Sequence, residues 1–498
     1  MKVVVIGAGL AGLSAACHLV GAGHEVTVLE QGSDAGGRAS YLAQDGFILD
    51  NGPTVLTMTS LVDQALRAAG SSLAAHLDLV ELKPAYRAFY SDGNRFDGDG
   101  VLEVHSSKEE MVEEIRSKCS AKDADSYIKF TSYLKKLYEV EFPNFIDAQM
   151  DSVVSLLSSP KAAASLLALN AFTSLDKVVR RYFDDDRLVK LFSFQALYAG
   201  LSPLKARAIY AIITYMDSVE GVYYPIGGMN QISKALRDAA IDAGAKFEFN
   251  FKVESMKYGS GNKTNRKIES VRSSDGTIVQ ADAVIVTAEL AQAYDTFLSD
   301  LRAPRVLSVG EYSPSAYLHL LGVKGTPDLF AHHNIFFGKQ WKKSFDSLLK
   351  SGQRMEDPSL LVSLPTATDR SLAPEGHSVL YFLEPVPNLD APIDWTKERV
   401  AAQSDTVRRL MEFGFISNES DIVTEKIYDP IDWLNMGMSK GTPFALSHRF
   451  FQSGPFRPKN FSKEVENLFF AGSTTTPGVG VPMVLTSGRL AAERVGAR

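Results

Sequence analysis

The stretch KVVVIGAGLAGLSAACHLVGAGHEVTVLEQGSDAGGR, Lys2 to Arg38, decides the fold of this chain. Val3 to Ile6 is an uninterrupted apolar run, the pattern of a parallel strand buried on both faces. Gly7, Gly9 and Gly12 follow at GxGxxG spacing and lead into a helix predicted over Leu13 to Val20. Gly7 permits a tight turn, Gly9 removes the Cβ that would block a pyrophosphate, and Gly12 lets the helix approach the strand. Backbone N–H groups around Leu10 and Ala11 and the positive helix end then face the phosphates. Val26 to Leu29 predicts a second strand. Glu30 ends it about twenty residues after the glycines, where a carboxylate accepts hydrogen bonds from a ribose and repels a 2′-phosphate, with Gln31 beside it. Strand, turn, helix, strand and acid in register imply a bound dinucleotide and disfavour NADP.

The choice between NAD and FAD rests on Gly36, Gly37 and Arg38. A glycine pair followed by Arg resembles the extension of FAD proteins of the glutathione-reductase and amine-oxidase type. Arg offers a planar fork to a pyrophosphate that the helix end neutralises only in part.

At 498 residues the chain has material for about three domains. A formal net charge of −7 argues against nucleic acid as a partner. The two cysteines, Cys17 and Cys119, are too few for a disulfide framework, which predicts a reduced, cytoplasmic protein. With the first strand starting at residue two, no signal peptide is expected. No run reaches the roughly eighteen apolar residues of a transmembrane helix; Ala162 to Phe172 and Ala206 to Met216 come closest. No HExxH or CxxC pattern is present, so no metal is expected.

Residues 107–220 alternate helical apolar patterns with charged faces, as in KEEMVEEIRSK, and predict a helical insertion serving as core, membrane face or substrate lid. Gly221 to Leu236 predicts a short extended piece, a Gly227-Gly228 turn and a helix. Lys246 to Gly259 and Lys267 to Ala288 read as paired strands with an Asp275-Gly276 hairpin and a final buried strand, Ala283 to Val286. Val253 is the chosen position for backbone contact with an adenine. At the end of the chain, Leu468 to Ala471 predicts a buried strand, followed by a Gly/Thr/Pro loop and a helix beginning near Pro482. The positive start of that helix suits the charge that a reduced flavin carries near N1 and O2.

Blocks along nearly the whole chain together resemble the bacterial-type phytoene desaturases and related carotenoid desaturases. They are GAGLAGLSAA with GGR, Asp50 to Thr57 (DNGPTVLT), GVYYPIGGM, Ala331 to Gly338 (AHHNIFFG), the block from Pro358 to His377, His448 to Pro458, and AGSTTTPGVGVPMV. The resemblance implies an α/β fold with a glutathione-reductase-like FAD-binding Rossmann domain built from 1–85, 221–300 and 460–498. It adds a mixed α+β substrate domain from 86–106 and 301–459, and a membrane-associated helical part over 107–220. By the same resemblance Gly7, Gly9, Gly12 and Arg38 hold the phosphates and Glu30 the ribose, with Gly37 in the Arg38 turn. Gly52, Pro53 and Thr54 lie beside the flavin, and Gly472, Ser473, Val481, Pro482 and Met483 surround its ribityl chain and pyrimidine edge. Ser473 departs from the acidic residue usual in related amine oxidases, and Thr476 replaces a His common in carotenoid desaturases.

The implied reaction is successive desaturation of phytoene or a related acyclic polyene, by hydride transfer to flavin N5 and loss of a proton from the neighbouring carbon. Its substrate has no polar handle, so a long apolar tunnel sets specificity. A carotenoid cis/trans isomerase on the same scaffold and an amine-oxidase-type enzyme are the alternatives. No catalytic residue is assigned. Asp151 is a weak candidate base whose other reading is a helix N-cap; His332 and His333 read as structural or substrate-domain residues; His448 and Arg449, before Phe450 and Phe451, read as cavity lining. Without a second NAD-binding unit, oxygen or a membrane quinone is the expected electron acceptor. The protein is expected at the inner face of the membrane, bound peripherally.

Overall fold

Alternate residues of β1 (Lys2–Ile6) serve two separate cores, as expected of a strand with no polar face. Val3 and Val5 pack with the helix α1 (Leu10–Gly21), while Val4 and Ile6 pack with Met256, Ile268 and Val271 on the other side. The computed structural model describes residues 1–90, 100–157, 159–259 and 266–497, so 91–99 of the expected segment 86–106 lie outside the described residues.

β1 is the centre of a five-stranded parallel sheet in the order Leu468–Phe470, Ala283–Val286, β1, β2 (Glu25–Leu29), Lys246–Glu248. α1 begins three residues earlier than expected, because Gly9 already serves as its N-cap. It is held on one side by Ser14, whose hydroxyl donates to the Leu485 carbonyl of the terminal helix Val481–Arg494 at 2.8 Å. Towards the helix Asn230–Asp242, the Cys17 thiol donates to the Leu236 carbonyl at 3.3 Å.

The opposite face carries a three-stranded antiparallel sheet of Val253–Tyr258, Ile268–Ser273 and Ile278–Gln280. Here the structure corrects one expectation. Lys246–Glu248 and Val253–Tyr258 are not one strand: the first joins the parallel sheet beside β2 and the second leaves it. Asn250 sits in the left-handed region, with φ +56°, and its N–H and that of Phe251 donate to the Gly32 and Glu30 carbonyls, turning the chain between the two sheets. The Asp275-Gly276 hairpin forms as expected, with Gly276 at φ +93°.

A seven-stranded mixed sheet follows the order Ile422–Tyr428, Ser315–Lys324, His377–Val386, Leu360–Ser363, His333–Phe337, Tyr86–Tyr90, Val101–Val104. Only the His333–Phe337 and Tyr86–Tyr90 pair within it is parallel. Between the last of these strands and the sheet pair Leu79–Glu81 and Tyr223–Pro225 lies the helical part. Its longest helices, Lys108–Lys118 and Ala121–Glu141, are capped by Ser107 and Ser120, whose side chains accept from Glu110 and Asp123 N–H. Among the described residues no helix is long and apolar enough to cross a membrane. The two apolar stretches are broken into the short helices Pro160–Ala168 and Ala211–Ser218.

Candidate functional site

A cavity of about 1580 Å³ is walled by the carboxyl ends of β1 and β2, one face of the seven-stranded sheet and the helical part. That is more than the roughly 300–1000 Å³ of a pocket for one small ligand, and leaves room for a cofactor and a substrate together. The sheet face contributes with period two: Ala316 and Leu318, Ile335 and Phe337, then Tyr381, Leu383 and Pro385 all reach the cavity.

One end is polar. Gly7, Gly9, Leu10, Ala11, Glu30, Gln31, Gly37 and Arg38 line it, together with Gly52, Pro53, Thr54 and Val253, and with Gly472, Ser473, Val481, Pro482 and Met483 from the chain's end. Segments more than four hundred residues apart in sequence thus share one wall. Gly12 does not reach it: a Cβ there would lie 2.0 Å from the Gly7 carbonyl oxygen, so its place is the contact between α1 and the turn. The first helix and the terminal helix both start at this end, on Gly9 and Gly480, and neither has a side-chain cap. Two helix N-termini whose backbone donors lack side-chain partners suit an anionic, pyrophosphate-containing ligand. The Glu30 carboxylate accepts from Ala8 N–H and Gly32 N–H, both at 2.7 Å. Those bonds aim it and leave lone pairs for a ribose. The residues therefore fit a dinucleotide.

Arg38, expected on the phosphates, also has partners within the protein. Its guanidinium donates to Glu289 at 2.6 Å, to the Ser473 hydroxyl at 2.7 Å and to the Pro443 carbonyl at 3.0 Å. Glu289 in turn accepts from Thr474 at 2.9 Å, which ties the first segment to the terminal loop. Sequence reasoning missed Glu289, although the signal was available: it follows the buried strand Ala283–Val286 closely, as Glu30 follows β2. Tyr381 was also missed; its hydroxyl donates to the Gly52 carbonyl at 2.9 Å and fixes the loop on the cavity wall.

The rest of the cavity is mainly apolar, lined by side chains such as Phe145, Leu166, Phe194, Ile212, Met216 and Trp341. Two buried acids interrupt it, Glu141 and Asp217. Burial raises both, Glu141 well above the usual carboxylate range and Asp217 to about 7. Asp217 ends the apolar run AIITYM, another readable signal. His448, Arg449 and Phe450 do line the cavity, whereas Phe451 points outward at 73 % exposure. Burial and the nearby Arg457 hold His448 well below the usual histidine range.

His332 and His333 are buried in or beside the His333–Phe337 strand, His332 against the Thr368 hydroxyl at 2.8 Å and His333 against the Thr54 carbonyl at 3.1 Å. Neither reading of Asp151 matches the structure. The helical turn starts at Val153, and the carboxylate pairs with Arg494, away from the cavity. Thr476 is buried, its hydroxyl donating to the Pro458 carbonyl at 3.3 Å.

Residues 10–496 match the family described as flavin containing amine oxidoreductase. The chain is 42 % identical to the phytoene dehydrogenase of Streptomyces griseus over 497 residues, 99 % of this chain and 94 % of that one. It is 35 % identical to a zeta-carotene-forming phytoene desaturase of Myxococcus xanthus over 501 residues, 99 % and 93 % of the two chains. Among solved structures, an oxidoreductase from Methanosarcina mazei superposes with a TM-score of 0.67 at 19 % identity, covering 99 % of this chain and 100 % of that one, which supports the fold. The dinucleotide-fitting end of the cavity agrees with this full-length relationship, and the chain belongs to the flavin-containing amine oxidoreductase family, with FAD as its cofactor.

Proposed function

We propose that this protein desaturates an acyclic, phytoene-like polyene. The observation that carries the reading is the joining of a dinucleotide end and a long apolar space in one cavity. The relatives named above act in the same sense, and an amine substrate would call for a cation-binding pocket rather than a mainly aliphatic and aromatic wall. Bound FAD supplies a two-electron hydride acceptor. The protein's own part is to hold it with the backbone around Gly7 to Ala11, with Glu30 and Gln31 at the ribose and Val253 near the adenine. Gly52 to Thr54 and the Gly472 to Met483 segment lie along the flavin, while the apolar walls exclude water from the reacting carbons. In this reading 1–85, 221–300 and 460–498 form the cofactor domain, 86–106 and 301–459 the substrate domain, and 107–220 the entry side. Oxygen or a quinone takes the electrons onward.

Purified protein with FAD and phytoene in liposomes should give products that have lost hydrogen pairs, with red-shifted absorption. Unchanged mass with altered retention would assign an isomerase instead. No reaction with phytoene or with shorter polyenes, but turnover of amines, would refute the proposal.

The same reading places the protein peripherally on the inner face of a membrane. Val153, Val154, Leu167, Phe450 and Phe451 are exposed apolar side chains, at 53 to 73 %. Phe450 and Phe451 form one aromatic cluster with Phe172 and Phe456, and three of these rings, all but Phe451, also line the cavity. An exposed apolar patch at a cavity mouth suits the entry of a substrate dissolved in a bilayer. Replacing Phe450 and Phe451 together by serine should weaken binding to neutral vesicles at least about tenfold, since burying one such ring contributes about 1.5–3 kcal/mol. FAD content should stay unchanged. Equal sedimentation of variant and parent with vesicles would remove this surface from the proposal.

A further inference from the structure

We propose that Asp217 is the group that takes the proton from the polyene during desaturation. This rests on the function proposed above and adds a residue to it. Asp217 lies in the last turn of the helix Ala211–Ser218, 2 % exposed and on the cavity wall. Its Oδ1 accepts from the Ser218 hydroxyl at 2.7 Å and from the Gln195 amide at 3.4 Å. Among the described residues its Oδ2 makes no hydrogen bond of good geometry, and neither does the hydroxyl of Tyr86, although the two side chains are close enough to interact.

The position is linked to the cofactor end through side chains packed behind the cavity wall. Tyr86, fully buried in the strand Tyr86–Tyr90, faces Asp217 and lies 5.5 Å from the His333 ring. His333 contacts the carbonyl of Thr54, in the loop read as lying beside the flavin. Two side chains therefore connect Asp217 to the cofactor end, while Met216 and Ile212 of its own helix line the apolar part.

The groups that act on Asp217 are Ser218 from its own helix, Gln195 from the turn before it and Tyr86 from the sheet; Tyr198 faces Tyr86. None is a cation. Burial without a counter-charge raises the carboxyl to about 7, near the operating range where a base both ionises and accepts a proton readily. Asp50 is a structural brace: it accepts from Met229 N–H at 2.9 Å and supports the Gly227-Gly228 turn. Glu141, at the end of its helix beside the aromatic Phe142 and Phe145, lines the cavity with one oxygen unpartnered among the described residues. Burial pushes it well above the carboxylate range, which disfavours the ionised form that a base needs.

The step balances as follows. Loss of hydride to the bound oxidised cofactor removes two electrons from one carbon and leaves an allylic cation. The adjacent C–H then gives its proton to Asp217 Oδ2, its bonding pair becomes the new π bond, and the carboxylate ends as the neutral acid.

Asp217→Asn tests this in the holoenzyme. The variant should bind FAD and lose about 10²–10⁴-fold in kcat at pH 8, the range of a missing general base. In the wild type kcat should rise with pH through an inflection near 7, and the variant should lack that inflection. Infrared titration should show a carboxylic acid band in wild type, absent from the variant, with its midpoint near 7.

Stability supplies a third readout. A carboxyl raised from 3.8 to about 7 by folding stabilises below its unfolded value and loses that contribution as pH rises to 7. The Asn variant should therefore melt higher than wild type by a margin that is larger at pH 8.5 than at pH 5. A variant with near-normal kcat and an unchanged pH profile, or without the infrared difference, overturns the assignment. Should the variant not fold, a wild-type kcat flat from about pH 5.5 to 9 overturns it equally. Failure of the wild type itself to convert polyenes refutes the proposed function, whereas an active wild type with an active variant refutes Asp217 alone.

Discussion

Replacing Arg457 by methionine should destabilise the protein by about 4 kcal/mol and release FAD, because four buried carbonyls lose their donor at once. Arg457 is 1 % exposed and among the described residues has no carboxylate in direct contact. Its guanidinium donates instead to the carbonyls of Thr475 at 3.2 Å, Gln452 at 3.2 Å, Leu446 at 3.0 Å and Ser473 at 2.7 Å. Two of these belong to the loop that ends at the terminal helix, so a single side chain fixes the loop read as wrapping the flavin. Each orphaned carbonyl costs about 1–3 kcal/mol, partly offset because the buried charge also disappears. That charge is under strain already: burial lowers the guanidinium to about 10. Lysine, with three donors and no planar fork, should recover only part of the loss. Urea unfolding and the flavin retained after gel filtration measure both effects. A methionine variant within 1 kcal/mol of wild type, with full flavin, would show that the loop does not depend on this residue.

Gly12→Val should abolish FAD retention and cost about 3 kcal/mol as overpacking of a closed contact. Even a Cβ at Gly12 would meet the Gly7 carbonyl oxygen at 2.0 Å and the Thr287 hydroxyl at 3.0 Å. Backbone cannot retreat as a flexible side chain can, so α1 must tilt away from β1. Its N-terminus then no longer aligns with the cofactor end of the cavity. Alanine should give the same effect in weaker form. Visible absorbance of the purified variant against its protein concentration, with a thermal melt, decides the matter; normal flavin content with an unchanged melt would mean that Gly12 is spaced for other reasons.

The first strand, its glycine turn, the helix and the acid at the end of β2 were legible because each depends on neighbours within about thirty residues. Where backbone sterics and local hydrogen bonding govern, residue type suffices: the Asp275-Gly276 hairpin and Pro482 in the first turn of the terminal helix fall where expected. The division of Lys246 to Gly259 between two sheets was not legible. Its apolar alternation satisfies either sheet, and the decision came from Asn250 turning against carbonyls of a loop more than two hundred residues earlier.

The amino-acid sequence by itself determined that a dinucleotide is held at the start of a parallel sheet, from local periodicity and turn chemistry; that later segments return to complete that sheet was implied by the family resemblance. Only the tertiary structure decided that Arg38 faces Glu289, that Arg457 ties the terminal loop, and that Asp217 is buried without a counter-charge on a cavity wall near Tyr86. The physical reason is that the electrostatics of these side chains depend on burial, which no local pattern reports, and for Arg38 on partners 251 to 435 residues away, distances over which no sequence pattern carries information.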